Sequence, residues 1–488
     1  MDNIGIGSVK PDLSGYSAKT YIRLIFFSAF GIFAFFINFP LPSYQISIAA
    51  WQFGNVDATS TMLVSHLTRF VRAALWTGNF KAMPAILWIL GVYCLADLFF
   101  VRFNSFWRSS GVATTFSVLK IFGFVLLTVT AIEFYFGYYP PFFSWYFTGV
   151  EMISGESISF FVMDRILIMV FITIPLSAAF LPFLTGYGLV DLVGVIARRF
   201  MRPIFKLPGR AAVIAVSALL ASFVVGHIGA SNEYKTGRMN KRESIIVGTS
   251  FTSASIGFLL VLAMNANLMH IWNIYLWSSF AILLLVTLIS VRIYPLNKIS
   301  NSYCEGVTPI PENVYTEHIT RHAVKEAFDT ATSAEKFGKS ICKIMKDCMG
   351  VLGTCATGTT FFAGVGIVLY AFTPVLIWLG YAFWPFTSIA LSTDEAVIAS
   401  SGAILSLIDI ILPTLLVATG EWSLRIRYMM AVIPVGSIVF LAAWVPCIMA
   451  TGLPIKFSQI VVIWLIRMVL TIIFAALFAM VLFPAGAV

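Results

Sequence analysis

The residues with the most chemistry in this sequence are acids in apolar surroundings. In FTSIALSTDEAVIASSGAILSLIDIILPTLL, Asp394 and Glu395 are adjacent and Asp409 lies in an otherwise apolar run. A carboxylate at membrane depth is costly unless paired, hydrated or protonated, so this set reads as a site for a coupling ion, Na+ or H+, or for contact with a solute. A structural pair or an interfacial loop is the competing reading. The second set is GTSFTSASIG (248–257), which puts Thr249, Ser250, Thr252, Ser253 and Ser255 on one expected membrane helix. Ser250 and Ser253, at i and i+3, share a face and would form a neutral hydrogen-bonding wall; packing through small residues is the alternative. Arg467 in VVIWLIRMVLTII is a candidate partner for an acid or a snorkelling surface residue. His227 could titrate near neutral pH, or be a satisfied buried histidine. His318 and His322 stand at i and i+4 before Glu326 without an H-E-x-x-H arrangement, so a solvated helix face is expected there rather than a metal. No P-loop, Rossmann glycine fingerprint or nucleophile cluster is present, so no catalytic residue, cofactor or ATP chemistry is expected and the chain is not read as an enzyme.

The elements that must hold these residues are membrane helices. The 488 residues are 59% hydrophobic and 11% charged, with a mean hydropathy of +0.92, more apolar surface than a soluble core could hide. Apolar runs of spanning length fall near 24–39, 82–101, 121–139, 165–185, 245–265, 271–292, 351–372, 428–450 and 457–483, with interrupted runs at 211–229 and 374–419. The net charge of +9 comes from Lys and Arg scattered in short loops, which fits positive-inside topology and not nucleic acid. The six cysteines have no metal-ligand spacing, and no disulfide is expected.

Between Ile121 and Asp164 there is no Lys or Arg, which makes that stretch external; GVIARRFMRPIFKLPGR, with five basic residues and no acid, is cytoplasmic. If 211–229 spanned, Lys235, Arg238, Lys241 and Arg242 would be outside. A re-entrant hairpin avoids this, with Gly226, Gly229, Gly237 and Gly420 as expected helix-break positions. The polar stretch 298–347 is then a cytoplasmic linker whose TEHITRHAVKEAFDTATSAEKFGKS portion is an amphipathic helix at the membrane surface. The halves on either side echo one another: Lys-Thr-Gly (235–237) precedes Arg242, and Ala-Thr-Gly (418–420) precedes Arg425, each pair 183 residues apart. Paired interrupted segments in opposite orientation point to an inverted-repeat transporter with its site at the repeat interface. Against this, Arg69, Arg72, Lys81, Arg425 and Arg427 would fall outside.

The run FLPFLTGYGLVDLVGVIARRFMRPIFKLPGRAA, then YKTGRMNKRE (234–243) and the hydroxyl-rich segment, resembles the YjiH family of bacterial membrane proteins with a nucleoside-recognition Gate domain. The most specific pieces are Met201 to Arg210 and Tyr234 to Glu243. The family pattern places an Asn three residues before the Tyr; this chain has Ser231 there and Asn232 next. The resemblance implies a multi-pass inner-membrane protein related to the Gate modules of nucleoside and ferrous-iron transporters and spore-maturation proteins.

The combined expectation is an all-α polytopic membrane protein with about 9–10 spanning helices and two re-entrant hairpins in an inverted repeat. Its expected parts are a cytoplasmic segment (1–20), N-terminal helices (21–160), a first Gate repeat (161–292), a polar linker (293–347) and a second repeat (348–488). It is expected to move a small polar solute, nucleosides among the candidates, by ion coupling. Ser231, Asn232, Tyr234, Ser250, Thr252 and Ser253 would contact solute, and Asp394, Glu395 and Asp409 the ion. The alternative is a non-transporting subunit. The partners expected are lipid and, as a homo-oligomer or with a second Gate-type protein, another membrane chain.

Overall fold

The computed structural model describes residues 13, 15–48, 51–56, 59–77, 82–99, 111–149, 155–220, 223–252, 254–309 and 318–484. The chain is mostly helical. Among the described residues three helices are long and apolar enough to cross a bilayer, Val118–Phe136, Met269–Ser290 and Phe457–Leu482, and the molecule is a membrane protein. Shorter apolar helices include Met83–Tyr93, Arg210–Leu219, Ile256–Asn265 and Ala356–Phe372.

The N-terminal part holds α1 (Ala18–Phe36), α2 (Leu63–Arg72), α3 (Met83–Phe99), α4 (Gly111–Phe136) and α5 (Ile168–Thr185). Between α1 and α2 the hydropathy reading had no element, and the structure has two antiparallel strand pairs, Asn38–Leu41 with Thr59–Met62 and Tyr44–Ile48 with Trp51–Val56. Alternating Tyr, Ile, Trp and Phe suit a pleated strand better than a helix. Arg72 at the end of α2 is paired with Asp164, 2.6 Å away, which also accepts from Trp76 Nε1.

α6 (Leu189–Phe200) and the linker helix α12 (Ile319–Ser333) pack together. The buried face of α12 is Ala323, Ala327, Phe328 and Ala331, a helical stripe. That face is covered by protein: Tyr16 and Tyr21 lie on Phe328, with ring centroids 5.0 and 4.5 Å away, and Tyr16 donates to Asp329. The expected membrane-surface helix is therefore docked on α1 and α6. Burial and the Asp329 carboxylate push the Tyr16 phenol up to about 12. Beyond α12, α13 (Phe337–Phe372) runs 36 residues against α4 and α5.

Two expected full spans are each a pair of half-length helices. Run 245–265 is α9 (Lys241–Ser250) and α10 (Ile256–Asn265), followed by α11 (Trp272–Ser290). Run 428–450 is α16 (Leu424–Ser437) and α17 (Trp444–Ala450), followed by α18 (Phe457–Leu482). A helix of 10 residues rises about 15 Å, half the hydrocarbon thickness. The interrupted runs supply α7 (Arg210–Leu220), α8 (Phe223–Lys235), α14 (Thr393–Ile408) and the short α15 (Leu412–Leu415).

Candidate functional site

The two units keep one register. Arg210 and Thr393 begin α7 and α14; Gly237 and Gly420 take left-handed φ of +72° and +89°; Asn240 and Ser423 cap α9 and α16; each pair is 183 residues apart. Asn240 accepts from Glu243 N while Glu243 accepts from Asn240 N, and Ser423 accepts from Ile426 N. Arg242 then donates to Leu296 O and Val291 O beyond α11, and Arg425 to Phe483 O at the end of α18 and to Ala390 O. Each guanidinium ties the start of a broken helix to carbonyls at or beyond the end of the following long helix, where orphan carbonyls favour a cation.

The units also interlock. At the end of α8, Ser231 Oγ and Lys235 Nζ donate to Thr451 O just past α17, at 2.7 and 2.8 Å. Reciprocally, Asn267 Nδ2, just past α10, donates to Ala418 O beyond α15, at 3.3 Å. The break after α16 is held against the end of α14 by Leu441 N to Leu407 O (2.7 Å) and Ala442 N to Ile408 O (3.1 Å). Non-helical backbone at membrane depth is thus given protein partners.

At this junction α8 carries His227, wholly buried. Thr252 Oγ1 donates to Gly248 O, and His227 Nε2 lies 3.1 Å from both Gly248 O and Thr252 Oγ1. Nδ1 is left as a buried atom with no hydrogen-bond partner among the described residues, as are Ser250 Oγ and the indole nitrogen of Trp444. The Trp444 ring lies edge-on to His227 at 4.9 Å, and Phe223 lies between His227 and Phe440.

The expected helical wall over 248–257 does not form. α9 ends at Ser250, Phe251 and Thr252 leave the helix, and Ser255 caps α10 by accepting from Phe258 N. Clustered hydroxyls favour caps over helix interiors, so the i, i+3 argument fails, and Ser253 lies outside the described residues. Gly226 and Gly229 do not break α8. A Cβ on Gly226 would sit 2.5 Å from Thr252 Cγ2 and 2.7 Å from Ala218 Cβ, and one on Gly229 3.3 Å from Ile214; both glycines let α8 approach α7 closely. Gly237 and Gly420 lie outside helices, with left-handed φ. Ser231 is buried and bonded, Asn232 is exposed and Tyr234 half-buried, so Ser231 alone of these three is in the interlock.

The three acids are not one cluster. Asp394 is exposed and Glu395 half-buried in the first turn of α14, where Glu395 accepts from Ser423 N at 3.2 Å; acids suit a helix N-terminus. Asp409 lies at the far end of α14, about 21 Å along the axis, buried and accepting from Ile411 N at 2.9 Å. Arg467 reaches none of them. It is fully buried and donates to Thr287 Oγ1, Ser290 Oγ and Gly436 O. Hydropathy gave no hint of Trp444 or Thr287 as site residues; the Pro434–Gly436 pair was the available signal for a break beside them.

No family model matches the chain. An uncharacterized protein of Alkalihalophilus pseudofirmus is 25% identical over 294 residues, which are 60% of this chain and 63% of that relative, so the match spans less than two thirds of the relative's length. Among solved structures, CNTnw in the intermediate 1 state aligns with a TM-score of 0.38 at 17% identity, covering 86% of this chain and 98% of that one. CNTnw in an outward-facing state aligns with a TM-score of 0.39 at 13% identity, covering 87% and 97%. Both are structures of variants.

Proposed function

We propose that this chain is a secondary transporter, not an enzyme, that moves a small polar solute between two inverted Gate-type repeats, with Na+ or H+ as the coupling ion. One observation carries the reading: each unit's hairpin end is bonded to the end of the other unit's half-helix, by Ser231 and Lys235 to Thr451 and by Asn267 to Ala418. Broken helices paired in this way are how transporters bring backbone and side-chain polar groups to the midplane. The buried, unpartnered atoms of His227, Ser250 and Trp444 at the same junction favour a polar ligand, because such groups normally have partners. Asp409, buried at the end of α14, is the coupling residue in this reading; Asp394 and Glu395 act as helix-end acids. Nucleosides lead the solute panel on the strength of the resemblance to the YjiH family, and the bacterial inner membrane is the proposed location.

Reconstitution in liposomes tests it. Uptake of a nucleoside, nucleobase or amino acid driven by a Na+ or pH gradient is the expected result. A folded protein that binds and moves none of them under either gradient would leave the non-transporting subunit. The hairpin itself is tested by cysteines at the exposed positions Arg202 and Arg238, which should both be labelled from the cytoplasm; opposite sidedness removes the first hairpin.

A further inference from the structure

Arg467 stands in the eleventh position of the 26-residue α18, the longest of the candidate membrane spans, and none of its surface is exposed. Of the half-buried arginines, Arg72 is paired with Asp164 at 2.6 Å and Arg210 with Glu233 at 3.4 Å, while Arg242 and Arg425 donate to backbone carbonyls. Arg467 has only neutral partners among the described residues, Thr287, Ser290 and Gly436 O, and its Nε has none. A guanidinium stays protonated in a protein, and the carbonyl end of α16 offsets only about half a charge. Thr471, one helical turn further along α18, has a buried Oγ1 with no partner among the described residues, and so has Ser250 Oγ, whose residue is linked to Arg467 through Thr287, since Thr287 Oγ1 donates to Ser250 O. A positive charge with spare donors at membrane depth needs an anion to complete it.

We infer that Arg467, with Thr471 and Ser250, is the receptor for a small anionic group, a halide or the carboxylate or phosphate of the solute. The inference rests on the transport reading only for the anion's route; binding itself is independent of it. The break after α16, where Ile438 takes a φ of 66° that β-branched residues rarely adopt, is the segment whose movement opens the guanidinium.

The test is the melting temperature of the full-length protein in detergent at constant ionic strength, replacing a bulky sulfonate with chloride, acetate or inorganic phosphate. A ligand that binds only the folded state raises melting temperature with dose. At least one anion should do so, with the response lost in Arg467→Gln and weakened in Thr471→Val. Chloride alone identifies a co-ion; acetate or phosphate identifies a group on the solute. No anion response in the wild type, or an undiminished one in folded Arg467→Gln, overturns the inference. If that variant does not fold, a wild-type response in Thr471→Val does the same. Uptake of a neutral solute by a protein whose melting temperature no anion raises rejects this site and spares the transport reading, whereas anion binding without any flux rejects transport and spares the site.

Discussion

Gly226 is where the packing of α8 can be strained with a single methyl. The added Cβ would lie 2.5 Å from Thr252 Cγ2 and 2.7 Å from Ala218 Cβ, whereas carbon atoms in contact sit about 3.5–4.0 Å apart. Relief requires α8 to move about 1 Å from both neighbours at once. Overpacking of this kind costs about 1–3 kcal/mol, and the better helix propensity of alanine returns about 1 kcal/mol. Gly226→Ala should therefore destabilise by up to about 2 kcal/mol. Thr252→Ser deletes the clashing methyl but keeps the hydroxyl that reaches Gly248 O and His227, so it should recover part of the loss. A double-mutant cycle read by denaturant titration in micelles measures that recovery, with an expected coupling of about 0.5–1 kcal/mol. A stabilising Gly226→Ala, or additive mutants, would refute the close approach of α8 to the break.

The two arginines of the repeat should behave alike: Arg242→Lys and Arg425→Lys each give up a forked contact with backbone carbonyls, and each should lower unfolding free energy by about 1–2 kcal/mol, independently of the other. Asp409→Asn keeps an oxygen to accept the Ile411 N–H, so it should fold normally and bind solute without Na+ or pH dependence; dependence persisting in this variant excludes Asp409 as the coupling group. In the linker, desolvation and then the Lys325 charge lower the proton affinity of His322, with Glu326 opposing and His318 adding to the lowering. The neutral ring is therefore the one the fold accepts, and its contribution is complete above its ordinary value of 6.5 and declines as pH falls below it. Acidification to pH 5.5 should loosen α12 by hydrogen exchange, and His322→Gln should flatten that response.

Seven of the nine apolar runs correspond to helices, because hydropathy summed over twenty residues detects a span well. The same averaging hid the breaks. Ile438, Val439 and Phe440 in the second break are themselves apolar and buried, so that interruption left no dip in hydropathy, and in the first the hydroxyls of Thr252 and Ser255 read as a helical wall. What marked it was local: a Ser that could cap a new helix at 255, and Pro434 with Gly436 before 438. The Thr-Gly turn was legible for a different reason, since a glycine in left-handed conformation leaves a residue signature whatever surrounds it. Glu395 was not legible, because its partner is a backbone N–H 28 residues away. The docking of α12 on protein was equally hidden, since an apolar stripe has the same appearance whether lipid or Tyr16 and Tyr21 cover it.

Within their common register the units differ in their titratable side chains and in their interlocks. His227 in α8 and Asp409 beyond α14 fall one residue apart when the second unit is shifted back by 183, and both are buried. At the equivalent positions the partner unit has Ile410 and Gly226, neither of which can bind a proton or a cation. Each unit thus carries one buried titratable side chain near the same register position, one cationic when charged and the other anionic. The interlocks differ as well: Lys235 fastens one hairpin with a charged donor, and Asn267 fastens the other with a neutral amide. A charge-assisted bond is the stronger of the two, so the contact at Ala418 should open first. Under the transport reading, opening at Ala418 releases the hairpin that carries Asp409, which makes cation exchange at that residue the event that precedes movement of the His227 hairpin. Removing the charge in Lys235→Gln should equalise the two latches, raise the cysteine reactivity of the first hairpin toward that of the second, and uncouple flux from the ion gradient. Reactivity unchanged in that variant would mean that Ser231 and the packing of Phe223 and Trp444, not the lysine, set the order.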